Sequence, residues 1–177
     1  MMLPEKIAKV ALERCSDAPI IGILSCDLQG IVGNRGKTPW RIPEELKFFR
    51  DTVCNGSLIM GRKTFNSMPP SILKGKKNIV FSRKAHQNIP GLVFVSSMHE
   101  FKALNLLTGS SPLFMIGGAQ IAQLFIEAKL ISKFILSKIN GVYEGDAFID
   151  LAIFIGWRSE VIYQSALYTT TILTRFE

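Results

Sequence analysis

Glu45 stands among large apolar side chains in the stretch Thr38-Pro39-Trp40-Arg41-Ile42-Pro43-Glu44-Glu45-Leu46-Lys47-Phe48-Phe49. Pro43 suits the first helical position, because its missing N–H is one a helix leaves unpaired anyway, so Glu44 and Glu45 fall in the first turn. Along that helix Ile42, Leu46, Phe49 and Val53 recur at three- and four-residue steps, an apolar stripe with Glu45 at its edge. Two readings of the acid stand side by side. Both glutamates can simply complement the helix dipole. Alternatively, Trp40, Ile42, Leu46 and Phe49 form a slot for a flat heterocycle, which a partly desolvated acid of raised pKa grips or protonates. The acid alone does not decide between them.

The cations suggest a different chemistry. From Arg50 to Lys84 there are eight bases (Arg50, Arg62, Lys63, Lys74, Lys76, Lys77, Arg83, Lys84) against one acid, Asp51, so this segment carries the whole formal charge of +7. Two of its clusters follow predicted strands: Arg62-Lys63-Thr64 after Ser57–Gly61, and Ser82-Arg83-Lys84 after Asn78–Ser82. There, backbone N–H groups and cations can hold a phosphate. Leu113–Ile116, Gly117-Gly118 and Ala119-Gln120-Ile121 read as strand, turn and helix start, where a pyrophosphate can approach bare backbone, although the turn lacks the three spaced glycines of a dinucleotide fingerprint. A basic field confined to strand ends favours a small phosphorylated ligand over a duplex. No recognition helix or aromatic RNA-binding motif is present, so no nucleic-acid partner is expected.

Positioning these groups requires a framework, and 177 residues with 47% hydrophobic and 20% charged content suffice for one domain with a full core. Ile20–Cys26, Ser57–Gly61, Asn78–Ser82, Leu92–Val95, Leu113–Ile116 and Lys133–Ile139 read as strands. Trp157–Ser165 and Tyr168–Phe176 read as a closing antiparallel hairpin. Strands alternating with helices predict an α/β fold, a mostly parallel central β-sheet with helices on both faces and a C-terminal antiparallel hairpin. Residues 1–18 are set apart as an N-terminal extension to a single domain, 19–177. Asp27 to Lys37, rich in glycine, is a long connection able to fold over the Trp40 region, a candidate lid. No apolar run reaches membrane length and no signal peptide opens the chain. Cys15, Cys26 and Cys54 are odd in number and widely spaced, and His86 and His99 lack metal-ligand spacing. The expectation is a cytoplasmic monomer with no metal and no membrane association.

In this order the motifs resemble the dihydrofolate reductase family from about Ile20 to Glu177. They are Ile31-Val32-Gly33, Pro39-Trp40 with Ile42-Pro43-Glu44-Glu45-Leu46 and Phe49, Ile59-Met60-Gly61-Arg62-Lys63-Thr64-Phe65, Gly75 to Arg83, Ile116-Gly117-Gly118 and Glu144-Gly145-Asp146. The resemblance implies that NADPH delivers hydride to C6 of 7,8-dihydrofolate while N5 is protonated, giving tetrahydrofolate for one-carbon metabolism and nucleotide synthesis. It also implies sensitivity to antifolates. Glu45 matches the single acid of that site, Trp40 the residue that holds a water near it, and Ser137 the hydroxyl that bonds to it. Ile23, Leu24, Leu46, Phe49 and Met68 would line the substrate slot, and Lys76 would face the glutamate tail. Ser25, Val32, Ile116, Gly117 and Gly118 would meet the nicotinamide half. Gly61, Arg62, Lys63, Thr64, Ser82, Arg83, Ala119, Gln120 and Ile121 would hold the rest of the cofactor. Three positions depart from the family pattern: Ala122 replaces a tyrosine near the nicotinamide, Lys76 an arginine, and Ala147 a small polar residue. The same architecture also serves riboflavin-pathway reductases, which lack the arrangement from Trp40 to Phe49. A non-catalytic nucleotide-binding protein would fit the charge and the Gly-Gly turn while leaving Glu45 unexplained.

Overall fold

Six apolar segments without the period of an amphipathic helix have to be buried on both sides, and a parallel sheet between two helical layers achieves this. In the computed structural model, which describes residues 1–176, these segments are β1 (Ile20–Cys26), β3 (Ser57–Gly61), β4 (Asn78–Phe81), β5 (Leu92–Val95), β6 (Leu113–Met115) and β7 (Lys133–Ile139). With the hairpin β9 (Arg158–Gln164) and β10 (Tyr168–Thr174) they form an eight-stranded sheet in the order β5-β4-β3-β6-β1-β7-β10-β9. The first six run parallel, and β10 is antiparallel to both β7 and β9. A separate pair, β2 (Ile31–Gly33) and β8 (Ala147–Phe148), joins the candidate lid to the segment after β7.

Alternation along the strands divides the core. Ile20, Ile59, Ile79, Met115, Phe134 and Leu136 face one helical layer, α5 (Met98–Ala103) and α6 (Ala119–Glu127), whose Phe101 and Phe125 stack edge to face. Ile21, Ile23, Met60, Val80, Ile116 and Ile135 face the other, α1 (Pro4–Arg14), α2 (Pro43–Val53), the short α3 (Arg62–Ser67) and α4 (Pro70–Leu73). Fully burying a phenyl ring such as that of Phe48 on α2 contributes about 1.5–3 kcal/mol.

The opening residues, read from the sequence as an extension, contain a helix docked on this second layer. Ile7, Ala8, Ala11 and Cys15 are buried there, and Glu5 and Arg14 reach Lys47 and Glu160 at 3.3 and 3.4 Å. At the start of α5 a capping box is half made. Ser97 accepts the Glu100 N–H at 3.2 Å, but the Glu100 carboxylate turns to the backbone N–H and hydroxyl of Ser96.

Candidate active site

The first turn of α2 brings Glu45 to Ser25 near the C-terminal end of β1. The helix is turned differently from the sequence expectation. Its buried line is Glu45, Phe48, Thr52 and Val53, whereas Ile42 and Phe49 are half-buried and Leu46 is 41% exposed. The apolar stripe therefore lies partly at the surface, and the carboxylate, expected at its edge, takes the inward place. Phe48 and Val53 set this rotation by filling the space above the sheet, and the Thr52 hydroxyl buried with them is satisfied within the helix by the Phe48 carbonyl at 2.7 Å.

Glu45 is only 9% exposed, and burial lifts its pKa from 4.5 to about 7, with a hydrogen bond from the Ser25 side chain opposing the rise. No cation pairs with it among the described residues. Ser137, expected to bond to this acid, instead shares a buried 3.0 Å hydrogen bond with Thr170 of β10. Ser25, matched to the nicotinamide half, is the hydroxyl that reaches Glu45. Trp40 is buried with Ile139 and Tyr168 and meets Tyr143 edge to face at 5.5 Å. The Tyr168 hydroxyl is buried with no hydrogen-bond partner among the described residues, and burial, with Tyr163, Glu45 and Glu44 nearby, pushes its pKa up.

The connection after β1 is zipped to the segment after β7. Asp27, fully buried, accepts N–H groups from Gln29 and Ile31 on one oxygen and from Tyr143 on the other, each at 2.8 Å. Burial alone would raise its pKa, but these bonds outweigh it and hold the carboxyl below the usual range. Farther along, Asn34 and Lys37 exchange backbone hydrogen bonds around Arg35 and Gly36, both at positive φ as a tight hairpin turn demands. The Arg35 N–H donates to the Asp146 carboxylate, and the Asp146 N–H to the Gly33 carbonyl. A Cβ at Gly145 would lie 2.4 Å from Ile31 Cγ2, so the two segments meet this closely only because Gly145 has none. Ala147 adds backbone pairing opposite Gly33.

On the other side of β1, the strand ends with the expected phosphate-binding groups converge. The Gly61 N–H donates to the Gly117 carbonyl at 2.8 Å, placing Gly61-Arg62-Lys63-Thr64 beside Ile116-Gly117-Gly118 and the start of α6. The Gly117–Gly118 peptide is cis, and Gly117 has φ +110°. A Cβ at Gly117 would lie 2.8 Å from Leu24, and one at Gly118 would lie 3.5 Å from the Thr64 hydroxyl, so the turn presents bare backbone. Of the residues that open α6, Gln120 is exposed, Ala119 and Ile121 are half-buried, and Ala122 is wholly buried under the helix. Gly61 and Phe81 are register partners, which brings Ser82-Arg83 alongside. Ser82 accepts the Lys84 N–H and is hydrogen-bonded to His86, whose ring stacks on Phe94.

Among the substrate-side residues, Ile23 is buried and Leu24 and Met68 are half-buried; Val32, matched to the nicotinamide half, packs on the α6 side of the sheet. Lys76 donates to the Ile72 carbonyl at 2.7 Å, which anchors its ammonium at the end of α4 beside an open groove lined by Phe65, Leu73 and Leu92. Three contributors were not singled out in the sequence: Asp27, Thr170 and Tyr168. For Asp27 the signal was available, since an acid ending a strand before a Gly-containing turn is a side chain suited to backbone N–H groups.

The family model for dihydrofolate reductase matches residues 19–166. The chain is 34% identical over 125 residues to a dihydrofolate reductase of Bacillus subtilis, covering 70% of this chain and 71% of the relative. To one from Neisseria gonorrhoeae it is 35% identical over 126 residues, covering 71% and 75%. Among solved structures, a dihydrofolate reductase from Enterococcus faecalis complexed with NADP(H) and RAB-propyl superimposes with a TM-score of 0.73. It is 22% identical, over 89% of this chain and 96% of the other, a likeness of fold.

Proposed function

The chain belongs to the dihydrofolate reductase family, and from that we propose how its own residues carry out the NADPH-dependent reduction of 7,8-dihydrofolate to tetrahydrofolate. The observation that carries the reading is a single carboxylate with no cation partner among the described residues, buried on the inner side of α2 with its pKa near neutrality. Such a group accepts two parallel hydrogen bonds from the N3–H and 2-amino group of a pterin, a geometry that a carboxylate satisfies and a lone carbonyl does not. Ile23, Leu24, Leu46, Phe49 and Met68 offer the ring and its benzoyl extension apolar contact, and the partial exposure of Leu46 and Phe49 suits this use.

The residues present fit the cofactor. Bare backbone at Gly117 and Gly118 permits close approach of a flat ring, and Arg62, Lys63, Thr64, Ser82 and Arg83 supply cations and hydroxyls for phosphates along one edge. When bound, NADPH supplies the hydride. The chain's part is to hold the acceptor ring against Glu45, exclude water by closing the segment 27–37, and keep one proton shared between Glu45 and the ring system so that N5 is protonated. With a carboxyl pKa of about 7, Glu45 is roughly half protonated at neutral pH and loses the proton on the alkaline side. Ser137 and Trp40 steady the acid's surroundings, and Lys76 offers one charge toward the substrate's tail. Action as a cytoplasmic monomer, sensitive to antifolates, completes the reading; among the described residues no helix is long and apolar enough to cross a membrane.

The test is direct. NADPH absorbance should fall on adding dihydrofolate, with tetrahydrofolate as product and little turnover in Glu45→Gln. A wild-type protein that binds NADPH yet leaves dihydrofolate unreduced would overturn the reading.

A further inference from the structure

Three hydroxyl side chains lie in one transverse row across the sheet beneath α2. Ser25 on β1 is the register partner of Ser137 on β7, and Ser137 is the register partner of Thr170 on β10. Partners on neighbouring strands point to the same face. That face is fixed by Ile23, Ile135 and Ile172, each two residues from a member of the row and each packed in the core layer under α2. At one end the Ser25 side chain lies close enough to Glu45 to oppose the rise of its pKa; at the other, Ser137 and Thr170 are paired at 3.0 Å and are 2% and 0% exposed. Such a row is costly in a core built of Ile and Phe, because each hydroxyl loses its hydration on burial.

The pair also has a direction. Two hydroxyls that share one hydrogen bond keep one O–H for use elsewhere. If Thr170 donates to Ser137, the remaining O–H belongs to Ser137, one strand spacing from Ser25 and on the acid's side of the row. If Ser137 donates, the remaining O–H is on Thr170, farther from the carboxylate. A carboxylate at the Ser25 end favours the first arrangement, because donors aimed toward a negative charge lower its energy. The charged surroundings reinforce the point: the Tyr168 phenol of β10, with Tyr163 of β9 beside it, lies near Glu45 and Glu44, and no cation pairs with Glu45 among the described residues. Hydroxyl donors are therefore the available means of stabilising the ionised acid before substrate arrives.

We propose that Ser25 and Thr170 are positioning residues that set the protonation equilibrium of Glu45, Ser25 by direct donation and Thr170 by orienting the Ser137 hydroxyl. The proposal rests on the reading of Glu45 given above and assigns Ser25 to the acid, where the family likeness had matched it to the nicotinamide half. It also gives Thr170 a part in the site through a strand from which no site residue had been expected.

The test uses the full-length protein without ligand. Glu45 is titrated through its carboxyl infrared bands, identified by difference from Glu45→Gln, in wild type, Ser25→Ala, Thr170→Val and Thr170→Ser. Ser25→Ala should raise the Glu45 pKa by about 0.5–1 pH unit, and Thr170→Val should raise it by a smaller amount. Thr170→Ser, which keeps the hydroxyl, should restore the wild-type value. In single-turnover hydride transfer with NADPH and dihydrofolate, the alkaline fall in rate should move upward by the same increments, with little change in dihydrofolate KM. Val is close to isosteric with Thr, so circular dichroism and melting separate a packing defect from the predicted shift. An unchanged Glu45 pKa in folded Ser25→Ala, or an equal shift in Thr170→Val and Thr170→Ser, overturns the proposal. Because the infrared titration needs no turnover, it stands apart from a failure of the functional reading, which would show as absent reduction with the pKa shifts intact.

Discussion

Around Glu45 the chain buries one carboxylate on the same side of α2 as Phe48, at the Ser25 end of a row of hydroxyls. Around Arg62, Lys63, Arg83 and Lys84 it leaves four cations at half-buried or exposed positions on neighbouring strand ends, none in an ion pair among the described residues. Both regions are electrostatic, but they work in opposite ways. The acid's properties come from desolvation, act over a few ångströms and depend on single partners such as Ser25. The basic rim works by summing charges in high dielectric, so its effect is shared among residues and screened by salt. One region is tuned and brittle, and the other is redundant.

The largest break in that contrast is expected at the acid. Glu45→Gln should lower hydride transfer at neutral pH by about 10²–10⁴-fold, because it removes the only ionisable group facing the reacting ring while preserving shape. Stopped-flow measurement of hydride transfer checks this. A loss under about tenfold with the fold intact would mean that the carboxylate is only a helix-end residue.

The same substitution should have the reverse effect on stability. The folded-state pKa of Glu45 is raised from 4.5 to about 7, so the folded protein holds this proton more tightly than the unfolded chain does. Its contribution is fully present below about pH 4.5, falls as pH rises, and is lost above about pH 7, by roughly 3 kcal/mol at about 1.4 kcal/mol per unit. Glu45→Gln should therefore be more stable than wild type in urea unfolding at about pH 8.5, with the gain shrinking toward about pH 5. An equal difference at both pH values would contradict a buried, titrating acid.

At the rim the effects should be smaller and distributed. NADPH should be preferred over NADH, and Arg62→Ala or Arg83→Ala should each reduce the ratio of kcat/KM values by about tenfold, since one charge-assisted contact is worth about 1.5–3 kcal/mol. Added salt should reduce the same ratio in wild type. If one alanine abolished the preference, the rim would be a single-residue device like the acid's seat, and the comparison would fail.

The sequence reveals these two regions unequally, for a physical reason. Strand ends with Gly and clustered cations are local patterns, so Gly61-Arg62-Lys63, Ser82-Arg83 and Gly117-Gly118 were legible before any fold was known, and parallel register then brought them together. The acid was legible as a residue type, but its rotation into the core was not. The period of Ile42, Leu46, Phe49 and Val53 finds the apolar side of a helix without telling which part of it faces the interior and which a cleft. Thr170 was illegible because its role depends on which strand lies beside β7, a long-range pairing that alternation cannot supply. The docking of α1 lay between these cases. Ile7, Ala8, Ala11 and Cys15 have helical spacing, but small residues make a weak apolar signal and their partner helix is distant in sequence.

Lys76 tests the border between the two regions, and the smallest effect is expected there. It belongs to the basic segment by composition, yet its ammonium is half-buried and donates to the Ile72 carbonyl, so part of its donor capacity serves the end of α4. An ammonium is a point charge on a flexible stem, whereas a guanidinium has five donors in a planar fork; Arg at this position can keep the Ile72 bond and still meet both oxygens of a carboxylate. Lys76→Arg should therefore lower the dihydrofolate KM by roughly fivefold, about 1 kcal/mol, with kcat nearly unchanged, because a remote tail is held alike in ground and transition states. A dihydropterin without the glutamate tail should not respond to the change. Lys76→Ala separates the two duties of the ammonium. Loss of the bond to Ile72 should lower stability by about 0.5–1.5 kcal/mol, and loss of tail contact should raise KM for dihydrofolate alone. If stability falls while both KM values stay put, Lys76 is an anchor for α4 and the tail is bound by other groups.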